Sequence, residues 1–228
     1  MQLLKGVLDL LYPRLCGSCG TTLKPTEGQL CISCMVKLPK TNSHTQNIDL
    51  LNNKFWGKLN VKNTYSFLKF SKKGLVQELL HNLKYRNKPE LAHFMGLWYA
   101  TDLKEISLDT SIDLIIGVPL HASRLKERGY NQADEFAKGL SEGLGVAFLP
   151  DVLLRNISTQ TQTKKSRFKR FLNTQYVFEV SDNSIIKGKN IALVDDVLTT
   201  GSTLSSCGEI LLQNGCNELT IITIASAF

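Results

Sequence analysis

The stretch Ile191-Ala192-Leu193-Val194-Asp195-Asp196-Val197-Leu198-Thr199-Thr200-Gly201-Ser202-Thr203 reads as a strand, a turn and the start of a helix. Four apolar residues in succession mark a strand buried on both faces, the signature of a parallel sheet. Asp195 and Asp196 follow at the end of that strand, the edge at which open α/β sheets bind ligands. Neighbours in a strand point to opposite faces, but where the chain turns both acids can reach one ligand. Thr199, Thr200, Ser202 and Thr203 supply hydroxyls around Gly201, which lets the backbone approach an anion closely. The N–H groups of the loop and the helix N-terminus complete an anion site. Two acids beside such a loop repel a bare phosphate. They suit a ligand that also brings hydroxyls or Mg²⁺, and a ribose 5-phosphate unit meets that description. The plainer reading is a turn capped by Thr or Ser, but a cap needs one hydroxyl, not two acids and four hydroxyls. A Walker A loop is excluded, because no Gly-Lys-Ser/Thr ending is present.

Strands and helices alternate on both sides of this stretch. The patterning predicts strands at Thr64–Phe70, Ile112–Pro119, Val152–Arg155, Gln175–Phe178, Asn190–Asp195 and Leu219–Ala225. It predicts helices at Leu75–Tyr85, Pro89–Leu103 with proline in the first turn, Asn131–Leu144 and Ser202–Asn214. That alternation implies a parallel sheet with helices on its faces. Residues 41–53 are polar and read as a linker. Leu3, Leu4, Val7, Leu8, Leu10 and Leu11 recur at helical spacing, so residues 1–12 read as an amphipathic helix ending at Pro13. Asp9 and the lack of a small-residue cleavage site argue against a signal peptide.

Six cysteines are present. Four follow the pattern Cys16-x2-Cys19-x11-Cys31-x2-Cys34, which can place four thiolates around one tetrahedral Zn²⁺. Gly17 and Gly20 suit tight knuckle turns. Pro13–Pro39 has too few apolar residues to hold a core alone, and a metal supplies that stability. Four cysteine ligands leave no open position, so the ion is expected to be structural. Cys207 and Cys216 are expected to be buried small hydrophobes.

The 228 residues carry a net charge of +7, unevenly placed. Residues 1–90 hold 14 Lys/Arg against 5 Asp/Glu, and the rest hold 13 against 15. The N-terminal part is therefore either a solvated lysine-rich surface or one that attracts a polyanion, including nucleic acid. No apolar run approaches the roughly 20 residues needed to span a bilayer, so no membrane insertion is expected and the protein is placed in the cytoplasm.

The stretch from Ile191 to Thr203 resembles the motif that binds phosphoribosyl pyrophosphate (PRPP) in type I phosphoribosyltransferases. The four-cysteine module, Leu83-Lys84-Tyr85, Val118-Pro119-Leu120-His121, Arg128-Gly129-Tyr130-Asn131-Gln132-Ala133, and Gln162 with Arg170 and Asn173 resemble one branch of them, the competence-associated ComF family. The resemblance covers nearly the whole chain, in order. It implies the type I phosphoribosyltransferase fold (a parallel sheet flanked by helices) over residues 49–228, after an N-terminal helix and zinc module over residues 1–48. It implies PRPP with Mg²⁺ as ligand, Asp195 and Asp196 as catalytic carboxylates, and Leu198, Thr199, Thr200, Gly201, Ser202 and Thr203 around the 5′-phosphate. Pro119, Leu120, Arg124, Arg128 and Lys164 are the groups expected at the pyrophosphate, although Arg124, Lys126 and Arg128 also read as an exposed helix face beside Glu127.

The region from Val152 to Phe178 has no acid and six bases, Arg155, Lys164, Lys165, Arg167, Lys169 and Arg170. It resembles the loop that closes over PRPP, and reads otherwise as a solvated basic helix or a nucleic-acid contact through Phe168 and Phe171. Purine-specific relatives carry an acid where this chain has Thr199, which argues against a hypoxanthine or guanine acceptor and leaves the acceptor open. The resemblance further implies a role in DNA uptake. Beside an active transferase stand two other readings: a non-catalytic PRPP sensor, and an adaptor that binds single-stranded DNA or a competence helicase through its basic zinc module.

Overall fold

The computed structural model describes residues 12–46, 48–155 and 177–227. The expected N-terminal helix, all but Tyr12 of it, lies outside these residues. So do Gln162, Lys164 and the rest of the basic segment between Arg155 and Val177. The described elements are α1 (Ile32–Lys37), α2 (Ile48–Asn52), β1 (Asn63–Phe70), α3 (Leu75–Tyr85), α4 (Pro89–Lys104), β2 (Leu114–Gly117), α5 (Ala122–Arg128), α6 (Gln132–Leu144), β3 (Leu153–Arg155), β4 (Phe178–Val180), α7 (Asn183–Ile186), β5 (Asn190–Leu198), α8 (Ser202–Gln213) and β6 (Glu218–Ala227).

Four strands form a parallel sheet in the order β1-β6-β5-β2, so the strand at the heart of the opening stretch is central. β3 and β4 form a separate antiparallel pair. Side chains alternate across the sheet. Ala192, Val194, Ile222 and Ile224 pack into the layer of α3, α4 and α6, and Leu114, Ile116, Ile191, Leu193 and Ile221 pack into the layer of α8 and the β3–β4 pair. Cys207 and Cys216 are buried in the second layer, as small hydrophobes would be. α4 and α6 cross at backbone contact: a Cβ on Gly96 would lie 2.3 Å from the Phe136 carbonyl oxygen, and one on Gly139 2.0 Å from that of His93. Only glycine fits at that crossing.

Two expectations need correction. Residues 41–53 are not a loose linker. Thr41, Ser43 and His44 are buried, and Thr41 and Ser43 bond to the outer edge of β1. Ser43 Oγ donates to the Ser66 carbonyl (3.0 Å) and accepts from the Ser66 N–H (2.9 Å). Thr41 donates both its hydroxyl and its N–H to β1 carbonyls, and a bridge pairs Lys40 with Leu68. The hydroxyls of Thr41 and Ser43 serve backbone pairing rather than solvent. The second correction concerns β5, which runs to Leu198 rather than stopping at Asp195. It continues because β6 continues beside it, Val197 opposite Ala225 and Leu198 opposite Ser226.

Candidate functional site

β2 ends at Gly117, level with Val194 of β5. Beyond that point β5 has a neighbour on one side only, so Asp195 and Asp196 stand at an open rim. The alternation also slips there. Val194 and Val197 face the same layer and Leu198 the other, while Asp195 pairs with Thr223 and Asp196 has no ladder partner. The register of β5 on β6 is the same on either side of Asp196, so no residue is inserted there. The two consecutive acids both line one cavity of about 750 Å³, without the turn anticipated at that point.

The acids differ in surroundings. Asp196 Oδ2 lies 2.9 Å from Lys84 Nζ of α3. Asp195 Oδ1 accepts the Asp196 N–H at 2.8 Å, and burial first, the Asp196 charge second, push its carboxyl up to about 8. Of the six residues expected around the 5′-phosphate, Thr199 and Thr203 line the cavity. Leu198 is fully buried. Thr200, Gly201 and Ser202 form the turn behind: Gly201 has φ 76° and sits at the N-cap of α8, and Thr200 Oγ1 lies 3.0 Å from Ser202 Oγ. A Cβ on Gly201 would meet Phe55 at 3.0 Å. Lys54, beside Phe55, donates to the carbonyls of Thr199 (3.1 Å) and Ala227, and burial lowers its pKa. Sequence reading passed over Lys54, whose partners lie more than a hundred residues away.

Pro119, Leu120, Arg124 and Arg128 all line the cavity. The loop is held by Asn131 Nδ2, which donates to the Val118 carbonyl (3.0 Å) while its Oδ1 caps α6 at the Ala133 N–H (3.2 Å). His121 Nδ1 caps α5 in the same way, accepting from the Ser123 N–H (3.2 Å). Arg128 donates from one terminal nitrogen to Gln132 Oε1 (2.8 Å), and its buried Nε has no partner among the described residues. An arginine fixed on one side and free on the other suits an anion. Arg155 lines the cavity as well; Lys164 lies outside the described residues. Behind the loop, burial lifts Asp134 to about 6, and its carboxylate fills the space beside Gly117, where a Cβ would lie 2.1 Å from Oδ1.

The four cysteine sulfurs lie within 4.8 Å of one another, with Cys19 Sγ 3.8 Å from Cys31 Sγ. Zinc–thiolate bonds of about 2.3 Å in a tetrahedron put sulfurs about 3.8 Å apart, so the cluster fits such an ion. Burial and the neighbouring sulfurs hold Cys34 well above the ordinary thiol range, and a cation among them would relieve that. Gly20 has φ 74°, as a knuckle turn needs. Gly17 serves another purpose: a Cβ there would lie 2.5 Å from Leu91 of α4. The cluster rests against the sheet's helical layer, with Ser18 Oγ donating to the Leu75 carbonyl (3.0 Å) and Asn82 Nδ2 to the Gly17 carbonyl (3.0 Å). Among the described residues no helix is long and apolar enough to cross a membrane.

Residues 100–227 match the family described as phosphoribosyl transferase domain. The chain is 31% identical over 140 residues to the DNA utilization protein YhgH of Salmonella typhi, covering 60% of this chain and 61% of that protein. It is 27% identical over 210 residues to Competence protein ComFC of Bacillus subtilis, covering 91% and 82%. The chain thus spans about three-fifths of the length of YhgH, and most of ComFC. A solved glutamine PRPP amidotransferase from B. subtilis, complexed with ADP and GMP, aligns with 60% of this chain and 26% of its own at 20% identity and a TM-score of 0.42. The match over residues 100–227 takes in β2, both acids, the α8 loop and β6, and the expected resemblance to ComF proteins holds through ComFC. The chain belongs to the phosphoribosyl transferase domain family.

Proposed function

We propose that the chain binds PRPP with Mg²⁺ at the rim of β5 and transfers its ribosyl group to an acceptor, in the service of DNA uptake. The observation that carries this reading is the meeting of Asp195, Asp196, Thr199, Thr203, Arg124 and Arg128 in one cavity. Asp195 and Asp196 accept from the 2′ and 3′ hydroxyls of the ribose and stabilise positive charge developing on the ring. The N–H groups and hydroxyls from Thr199 to Thr203 hold the 5′-phosphate. Arg124 and Arg128 take the pyrophosphate, where Mg²⁺ supplies further charge neutralisation when bound. The nucleophile's lone pair forms a bond to the anomeric carbon as the bond to pyrophosphate oxygen breaks, and that electron pair leaves with pyrophosphate. The acceptor's proton passes to solvent. Asp196 is held by Lys84 in the ligand-free protein, so Lys84 must yield or share its partner when the ribose enters.

A single zinc ion at Cys16, Cys19, Cys31 and Cys34 is part of the proposal, supported by the sulfur geometry. We place the protein in the reducing cytoplasm, where the four thiols stay available to the ion. The names of YhgH and ComFC support the link to DNA handling, with single-stranded DNA or a helicase as further partners of the basic N-terminal part.

Calorimetric titration of PRPP with Mg²⁺ into the full chain tests the reading. Saturable binding, lost in Asp195→Ala/Asp196→Ala, is the expected result. A folded wild-type protein that binds no PRPP would sink both the transferase and the sensor interpretations, leaving a DNA-handling adaptor. Binding without pyrophosphate release in the presence of any acceptor would point to a sensor.

A further inference from the structure

The loop assigned to the 5′-phosphate is backed by a segment far ahead of it in the chain. The pairing of β5 with β6 closes at Leu198 and Ser226. Thr199 and Ala227, the next residue on each side, leave their carbonyls past that last rung, and Lys54 Nζ donates to both, to Thr199 at 3.1 Å. An ammonium has three donors and no acceptor, so one side chain stands in for the missing rung. Lys54 and Phe55 belong to a single 3-10 turn, Asn53–Phe55, between α2 and β1. Phe55 is fully buried, and its ring lies 3.0 Å from where a Cβ on Gly201 would stand. Two consecutive residues therefore hold the loop, one at Thr199 and one at Gly201. Neither lines the cavity, whereas Thr199 does, so the hold comes from behind. Burial lowers the pKa of Lys54, and its partners are two neutral carbonyls rather than a carboxylate. Keeping an ammonium in such a place costs desolvation that neutral acceptors offset only in part.

We propose that Lys54 is a positioning residue for the 5′-phosphate of PRPP, acting through the Thr199–Thr200 peptide and through its own uncompensated charge. The inference rests on the reading of the β5 rim as the PRPP site. It adds a residue that lies outside the stretch, residues 100–227, that matches the transferase family. The Thr199–Thr200 peptide is trans, and a trans peptide holds its C=O and N–H on opposite sides of a rigid plane. With the Thr199 carbonyl fixed toward Lys54, the Thr200 N–H points away from it, toward the anion gathered by the N-terminus of α8. The ammonium also leaves a positive charge behind the loop. That charge adds to the helix N-terminus in attracting a phosphate dianion. Lys54 itself touches no substrate atom; it sets the direction and the field of groups that do.

The test compares the full wild-type chain with Lys54→Met, which keeps the apolar stem and loses the donors and the charge. Each protein is titrated calorimetrically with PRPP and Mg²⁺, and separately with pyrophosphate and Mg²⁺, a ligand that lacks the 5′-phosphate. Lys54→Met is expected to bind PRPP about tenfold or more weakly than wild type. Its pyrophosphate affinity is expected to stay within about twofold. A fall by the same factor for both ligands overturns the proposal, because a lysine that merely supports the fold loosens the whole rim. An unchanged PRPP affinity overturns it too. Should Lys54→Met fail to fold, Lys54→Gln, which keeps a neutral donor, takes its place with the same outcomes. A folded wild-type protein that binds no PRPP removes the PRPP site and this inference with it. Wild-type PRPP binding without a selective loss in the variant removes this inference alone.

Discussion

Asp195→Asn should stabilise the ligand-free protein, and more so as pH rises. Burial at the sheet rim and the adjacent Asp196 charge push the Asp195 carboxyl from 3.8 to about 8, with Lys84 pulling weakly the other way. In the unfolded chain the same group ionises near about 4. Below that value both states hold the proton and the group adds no pH dependence. Between about 4 and 8 the native state keeps a proton that the unfolded chain has released, so stability falls as pH rises, at up to about 1.4 kcal/mol per pH unit. Above about 8 both states are ionised and the loss is complete. Two pH units at the full slope amount to about 2.7 kcal/mol, and Lys84 and penetrating water reduce this, so about 1–3 kcal/mol is expected between pH 6 and pH 8. Asparagine keeps the shape and does not titrate. Urea unfolding of both proteins at pH 5, 6, 7 and 8, at equal metal content, gives the difference directly. The gap should widen with pH in favour of Asp195→Asn. A constant gap, or one that narrows, would refute the account of Asp195 as a carboxyl held against repulsion and burial. The same substitution should abolish PRPP binding, so that the site is bought with stability.

Other perturbations separate steric from conformational effects. Gly139→Ala places a Cβ 2.0 Å from a carbonyl oxygen and should cost about 3 kcal/mol or more in chemical unfolding as α4 and α6 are forced apart. Gly145→Ala meets no atom within 4 Å, and its φ of 75° alone should cost about 1–2 kcal/mol. Metal analysis should find one zinc per chain, and Cys34→Ser, at a buried ligand, should lose the ion and lower Tm by more than Cys19→Ser at the exposed one. Lys84→Met removes the partner of Asp196 and one influence that holds the Asp195 carboxyl down, so the rise of PRPP affinity with pH should move to higher pH in binding titrations.

Much of this fold is legible because its signals are local. The start of α3 at Leu75 and of α4 at Pro89 follow from periodicity and a proline in the first turn, and both agree with the structure. The strand and the start of the helix of the β5–α8 stretch are both visible within thirteen consecutive residues, from Ile191 to Thr203. What escaped sequence reading depends on distant partners. β5 was ended at its first charge, although a neighbouring strand carries it three residues further. The buried hydroxyls of Thr41 and Ser43 look like linker residues until β1 is seen beside them. The stripe of Gln77, His81 and Tyr85 is visible as a helical face, but nothing within α3 says that it looks onto acids more than a hundred residues later. The order β1-β6-β5-β2 cannot be read from elements that pair out of sequence.

Ser18 and Asn82 join the cysteine knuckle to α3, and the last turn of α3 carries Lys84, which pairs with Asp196. One short helix therefore touches both centres. If occupancy of the thiol cluster biases the position of that helix, it biases the acids, and the relation runs both ways: a ligand that settles the acids tightens the hold on the metal by the same factor. On the proposed assignment of both centres, such reciprocity would let metal supply and sugar-phosphate supply be read together, through a helix of eleven residues.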